Sequence, residues 1–402
     1  MLASAFPPPP RLPTSRRERL WVLLFSAALA ALFAAEVVSD FTTAKLGGVF
    51  LIVFWTPALI LHELGHAWMA RRLGWHVSEV VIGFGRELLV FRLRETLVRF
   101  KLLPIEGYVV PHPRNLERAR LKSALIYAAG PGAELLFVFI CWMVLGRDLF
   151  TRSDSVSVIA LQGAATAAAM GAVFNLVPYA SGRGVSDGLG IILSCFATED
   201  VFRARLLFPF IAGARQHLYR EDVQGARGLL EKARLRDPGD LRVHALSAVA
   251  CAIAGSHEEA YAALEDLGNP DDQPEEARVE LLLAAVWVTL LANERVLFAR
   301  ADAACESVLE LSPGDSRALL LRGRLALARD SYEEAIAILM RGYSASRERE
   351  EEAQYAAYLA IAWTRAGRRD EAERFIGELV DAPLGPALRC EVSELPTHPS
   401  LS

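Results

Sequence analysis

The chain has 402 residues, with 43 Lys+Arg against 48 Asp+Glu, a formal net charge of −5 and 53% hydrophobic residues, a length that supports at least two domains. Residues 1–200 hold 19 Lys+Arg and 15 Asp+Glu and the remainder 24 and 33, so an apolar half of net charge +4 precedes an acidic half of −9. Overall charge therefore says little about partners, and no basic patch points to nucleic acid.

The first 19 residues read as a disordered cytoplasmic tail, with the run Pro7–Pro10 in it. Four segments that follow are long and apolar enough to span a bilayer, which takes roughly 20 residues: 20–38, 47–70, 123–145 and 156–180. The first, with its flank to residue 46, is expected to be an uncleaved anchor. Its apolar run exceeds the roughly 7–15 residues of a signal-peptide core.

Inside the second segment stands Leu61-His62-Glu63-Leu64-Gly65-His66. Two histidines four apart share one helix face. Together they can hold one Zn²⁺ at Zn–N distances of about 2.0–2.1 Å, with Glu63 between them as general base toward water. Ionisable groups in a membrane-grade helix are costly, roughly 2.5 kcal/mol or more each at mid-bilayer, and mark function.

The loop 75–110 is rich in β-branched and aromatic residues punctuated by Gly, so it is expected to be strand-like. Read from its residues, it forms a small amphipathic sheet. The third apolar segment carries Glu134, a carboxyl that invites a partner at that depth. Only ten residues, 146–155, join the third segment to the fourth. Loop charges set orientation. The loop 71–122 holds eleven Lys+Arg against five Asp+Glu, and Arg11, Arg16, Arg17 and Arg19 lie in the tail, so both are expected on the cytoplasmic side. Beyond residue 187, the apolar runs 188–196 and 201–214 are short. They are expected to lie at the cytoplasmic face, a further re-entrant or spanning segment being the alternative.

Read together, LILHELGHAWMARRL (59–73), IGFGRELLVF (82–91), LLPIEGYV (102–109), AAGPGAELL (128–136) and FNLVP (174–178) followed by Asp187-Gly188 resemble the site-2 protease family of intramembrane zinc metalloproteases. The resemblance covers roughly residues 45–195. It implies that Asp187 is the third zinc ligand beside His62 and His66. It further implies that Asn175 holds substrate backbone and that the core is 47–197. The substrate it implies is a single-span membrane protein, cut after local unwinding, and it implies that 75–110 forms hairpins with which the unwound substrate pairs, the alternative being a small amphipathic sheet without substrate contact. Two departures stand out. Nine residues follow Pro178 up to Asp187, more than the family's spacing, and Glu134 stands where the family has Asn. That glutamate is expected to hydrogen-bond near the site or to bind substrate backbone in the Asn role.

After a connector at 198–214, the segment 215–385 repeats. Ala226, Ala260, Ala301, Ala335 and Ala372 recur at spacings of 34, 41, 34 and 37, the long one containing the insert 269–276. A period of 34 with paired helices is the tetratricopeptide signature, so a helical array with a concave surface for a protein partner is expected, ending in a tail at 386–402. Five scattered cysteines fit reduced thiols in a cytoplasmic setting.

The expected fold is therefore mainly α. A polytopic helical membrane core with a small β region precedes a soluble repeat domain. The chain is expected to sit in a bacterial inner membrane, among lipid, with its N-terminus and repeats cytoplasmic. The alternative to a protease is a catalytically silent membrane scaffold acting through its repeats.

Overall fold

The computed structural model describes residues 38–39, 41–181, 184–346, 349–379 and 382–395, and separates into two units at Leu206/Leu207. The expected anchor at 20–38 and the tail before it lie outside the described residues, save Val38. The other three apolar segments all form helices.

In the first unit, α1 (Leu46–Arg72), α2 (Ala119–Leu145) and α3 (Val156–Leu176) pack against one another. Three helical stretches containing them, Thr43–Arg72, Ala119–Leu149 and Val156–Leu176, are long and apolar enough to cross a membrane. Their contact faces are built of small residues: Ala58 of α1 and Ala164, Ala165, Ala167 and Ala168 of α3 are buried. Small side chains let helices approach closely, which is how association is gained where lipid is as apolar as the protein. The outward faces keep large apolar side chains exposed, among them Ile52, Val53, Phe139, Ile140, Trp142 and Met143. Such a surface suits lipid and not water.

Between α1 and α2 run two long antiparallel strands, β1 (His76–Leu93) and β2 (Thr96–His112). Gly83 (φ 95°) and Gly85 (φ 88°) take a backbone conformation that side chains disfavour and bend β1 midway. Its first part lies beside both 107–112 and 97–100, and its second part pairs with 96–101. Val77, Val80, Val81 and Ile82 are buried at the base, while Leu88, Leu89, Phe91 and Leu93 toward the tip are exposed. A short α4 (Asp187–Phe196) packs on α2. The helix α5 (Glu199–Tyr219) follows, so residues 199–214 of the expected connector 198–214 are helical and include Pro209.

The second unit is all helical: α6 (Val223–Arg234), α7 (Leu241–Ile253), α8 (His257–Glu265), α9 (Glu275–Ala292), α10 (Phe298–Leu311), α11 (Ser316–Ala328), α12 (Tyr332–Ala345), α13 (Arg349–Arg365), α14 (Arg369–Glu378) and α15 (Pro386–Ser393). The five recurring alanines are each the fourth residue of α6, α8, α10, α12 and α14, and all are buried. The sequence period is thus a packing period, set where neighbouring helices come closest. Asp240 and Asp315, each following Pro-Gly, cap α7 and α11 through backbone N–H groups. Glu280 of α9 is buried between Arg215 (3.0 Å) and Arg317 (3.0 Å). The Gln354 amide donates to Tyr219 O at 2.8 Å, and Arg220 pairs with Glu350. The helices α5, α9, α11 and α13 are therefore tied together by polar contacts. The expected tail includes α15, whose Leu388 and Val392 are buried.

Candidate metal centre

His62 and His66 lie on the face of α1 turned to α2, and both are buried. The strip of α2 opposite is Ile126, Gly130 and Glu134, four residues apart and so on one face. Each member does a different job. The Ile126 carbonyl is 2.6 Å from His66 Nδ1, and Glu134 Oε2 is 2.8 Å from His62 Nδ1. Gly130 leaves room for the rings, since a Cβ there would lie 2.3 Å from His66 Nε2 and 2.7 Å from His62 Nε2.

A backbone carbonyl and an ionised carboxylate only accept hydrogen bonds, so with Glu134 ionised each Nδ1 is the donor, and a neutral ring at either position has its lone pair on Nε2. Both Nε2 atoms then present lone pairs. They lie 3.0 Å apart and face the same carboxylate: Asp187 Oδ2 is 3.0 Å from His62 Nε2 and Oδ1 is 3.3 Å from His66 Nε2. Asp187 Oδ2, although close to His62 Nε2, is buried without a well-directed hydrogen bond. Three electron-pair donors on one point, one of them orphaned, suit a cation. His62, His66 and Asp187 are, among the described residues, the one His/Cys/Asp/Glu group whose donor atoms lie within 4.8 Å of one another. Glu63 is buried beside them with Oε2 unpartnered and its carboxyl against Gly107 of β2.

The long spacing before Asp187 is absorbed locally. Pro178 disfavours helix at Val177, and α3 stops at Leu176. Ala180–Ser181 and Gly184–Val185 form a two-stranded hairpin. Ser186 pinches its base: Oγ donates to Val177 O (2.7 Å) and accepts from Tyr179 N (3.0 Å) and Leu189 N (3.4 Å), the last as the N-cap of α4. Ser186 thus brings the chain back beside Val177, and Asp187 starts α4 at the site. Gly188 is needed next to it, because a Cβ would lie 1.9 Å from Leu176 O.

The structure thus brings His62, Glu63, His66, Glu134 and Asp187 together. It gives Glu134 a histidine for a partner. Asn175, half-buried on α3, donates its amide to Gly171 O at 3.0 Å within its own helix. Sequence reasoning missed Ser186 and Gly130. The Ser-Asp-Gly at a helix start carried the signal for the first, and the small-residue Ala-Gly-Pro-Gly for the second.

An apolar helical bundle enclosing a two-histidine, one-carboxylate cation site beside a buried glutamate with one unpartnered oxygen defines the chain as a metallohydrolase-type membrane core. A family model described as Peptidase family M50 matches residues 49–270, and the chain belongs to that family. It is 42% identical over 60 residues to the Bacillus subtilis protein named Regulator of sigma-W protease RasP, 15% of this chain and 14% of the relative. With the Geobacillus kaustophilus protein named Zinc metalloprotease RasP the identity is 34% over 86 residues, 20% of either chain. The matched segments therefore span a fifth or less of these relatives.

Proposed function

We propose that the chain is a zinc-dependent intramembrane endopeptidase acting on a single-span membrane protein. The observation that carries this reading is the convergence of His62 Nε2, His66 Nε2 and Asp187 beside a buried Glu63, inside helices apolar enough to cross a membrane. His62, His66 and Asp187 would hold the one Zn²⁺. The ion, when bound, supplies Lewis acidity toward the scissile carbonyl and toward water.

The rest falls to the chain. Glu63, unpaired and buried, takes the proton of the attacking water and delivers it to the leaving amine. Gly107 puts β2 backbone beside Glu63, which favours a substrate-pairing role for the 75–110 region over a purely structural sheet. Asn175 would hold substrate backbone just beyond Gly171. The recurring alanines support a tetratricopeptide-like array that recruits substrate or a regulator on the cytoplasmic side of a bacterial inner membrane.

The test is zinc content and cleavage of a single-span substrate by the purified full-length protein. Glu63→Gln is expected to keep zinc and lose cleavage; His62→Ala, His66→Ala and Asp187→Ala are expected to lose both. A Glu63→Gln variant that cleaves like the native chain would overturn the reading. A native chain that binds zinc but cleaves nothing would favour the silent scaffold.

A further inference from the structure

Glu134 stands at a depth where a carboxylate needs a purpose, and the resembled family has Asn there. The side chain is 2% exposed. Its Oε2 is 2.8 Å from His62 Nδ1, across two helices and 72 residues of sequence. Room for it is carved from α3: a Cβ on Gly171 would lie 2.2 Å from Oε1 and 3.0 Å from the carboxyl carbon. The glycine and the glutamate therefore form a matched pair, a missing side chain on one helix and a long one on the next. An asparagine at 134 is shorter by one methylene and could not make the same contact.

We infer that Glu134 is a positioning residue of the metal centre: its carboxylate accepts the Nδ1–H of His62 and thereby fixes that ring, in its Nε2-donating tautomer, toward the ion. The inference rests on the zinc reading above and deepens it. The two histidines are held by different groups. A backbone carbonyl orients His66, and a charged acceptor orients His62. Charged acceptors make stronger hydrogen bonds and make the opposite ring nitrogen a better metal donor. Glu134 Oε2 already meets His62 Nδ1, so the carboxyl answers to the metal side of the site rather than to a substrate amide.

The experiment titrates full-length protein in detergent with Zn²⁺ against a competing chelator, and records the absorption bands of the Co²⁺ form, for the native chain, Glu134→Ala, Glu134→Gln and Gly171→Ala. Loss of an outer-sphere partner lowers metal affinity by about 10–100-fold, and that is expected for Glu134→Ala, with altered Co²⁺ bands. Glu134→Gln keeps an acceptor oxygen and is expected to lose less. Gly171→Ala keeps the carboxylate but displaces it, and is expected to match Glu134→Ala. The double variant should be no weaker than either single one. Gly171→Ala and Glu134→Gln keep the test decisive if Glu134→Ala does not fold. Native Zn²⁺ affinity and Co²⁺ bands in Glu134→Gln and Gly171→Ala, with cleavage lost, would overturn the inference and assign the carboxylate to substrate. His62→Ala is the separate control: if it binds Zn²⁺ like the native chain, the metal-centre reading itself fails.

Discussion

Gly107 of β2 and Glu63 of α1 touch: a Cβ on the glycine would lie 2.6 Å from Glu63 Oε1 and 2.8 Å from its carboxyl carbon. The Glu63 carboxyl, the proposed general base, is thus held between its own helix and a strand backbone, and no side chain fits between them. Gly107→Ala is expected to push the carboxylate aside while leaving the histidines and Asp187 untouched. A displacement of about 1 Å at a reacting group is enough to lower cleavage roughly 100-fold. Zinc stoichiometry should stay native. Parallel measurements of bound zinc and of cleavage rate decide it; full activity in Gly107→Ala would mean that the strand and Glu63 do not meet in the working enzyme.

Ser186 is the second pressure point. Its hydroxyl closes the 177–186 loop and caps α4, so Ser186→Ala removes the acceptor of two backbone N–H groups beside Asp187. Loss of an N-cap costs about 0.5–2 kcal/mol. Hydrogen exchange over 179–190 is expected to rise and zinc affinity to fall by about tenfold, with α1 and α2 unchanged. Unchanged exchange in that segment would show that the hairpin holds Asp187 without Ser186.

What the sequence made legible follows interaction range. The histidine pair could be read because four residues make about one helical turn, a local fact. The alanine register could be read because a packing contact recurring at a period leaves a periodic trace. Asp187 was reachable only through the family's motif order, since nothing in spacing ties it to His62. A hydrogen bond from Glu134 near the site was legible as one of two alternatives, but its partner was not: His62 lies 72 residues away, on a different helix. The same holds for Glu280, whose arginines stand 65 and 37 residues off. The break expected at 214 came from an apolar run thinning out, whereas α5 runs on to Tyr219 because Leu218 and Tyr219 are buried against the second unit's core.

At the base of the hairpin, His112 is buried, bonded to Ser78 Oγ (3.0 Å) and to Arg205 O (3.3 Å) and stacked near His76. Burial drives its pKa down from 6.5 to about 4, with the positive Arg205 nearby acting the same way. The folded group stays neutral where the unfolded one takes a proton. Stability from this site is therefore full above pH 6.5, declines as pH falls from 6.5 toward 4, and levels off below. The loss is on the order of 3 kcal/mol, at 1.36 kcal/mol per pK unit. Denaturant midpoints at pH 7.5 and 5 are expected to differ less in His112→Gln than in the native chain. Equal pH sensitivity in the two would place the titration elsewhere.

Burial alone would raise the pKa of Glu280, but the guanidiniums of Arg215 and Arg317 outweigh it and hold the carboxyl below its ordinary range. Its stabilising charge is present above the unfolded pKa and is lost only as pH falls through the lower folded one, so near neutral pH the network is intact. Glu280→Ala would leave two partly buried guanidiniums facing each other, and breaking a buried pair by removing one partner costs about 3–5 kcal/mol. A volume-matched apolar replacement of one pair, Arg215→Met with Glu280→Leu, is expected to recover most of that loss, because Arg317 keeps Asp315 as its partner at 2.8 Å and no charge is then left unpaired. Hydrogen exchange of the α9 and α11 backbone in the full-length protein reads both effects, and zinc binding should not change in either variant. If Glu280→Ala leaves exchange in α9 and α11 at native levels, the polar contacts joining these helices do not hold the array together and apolar packing alone does.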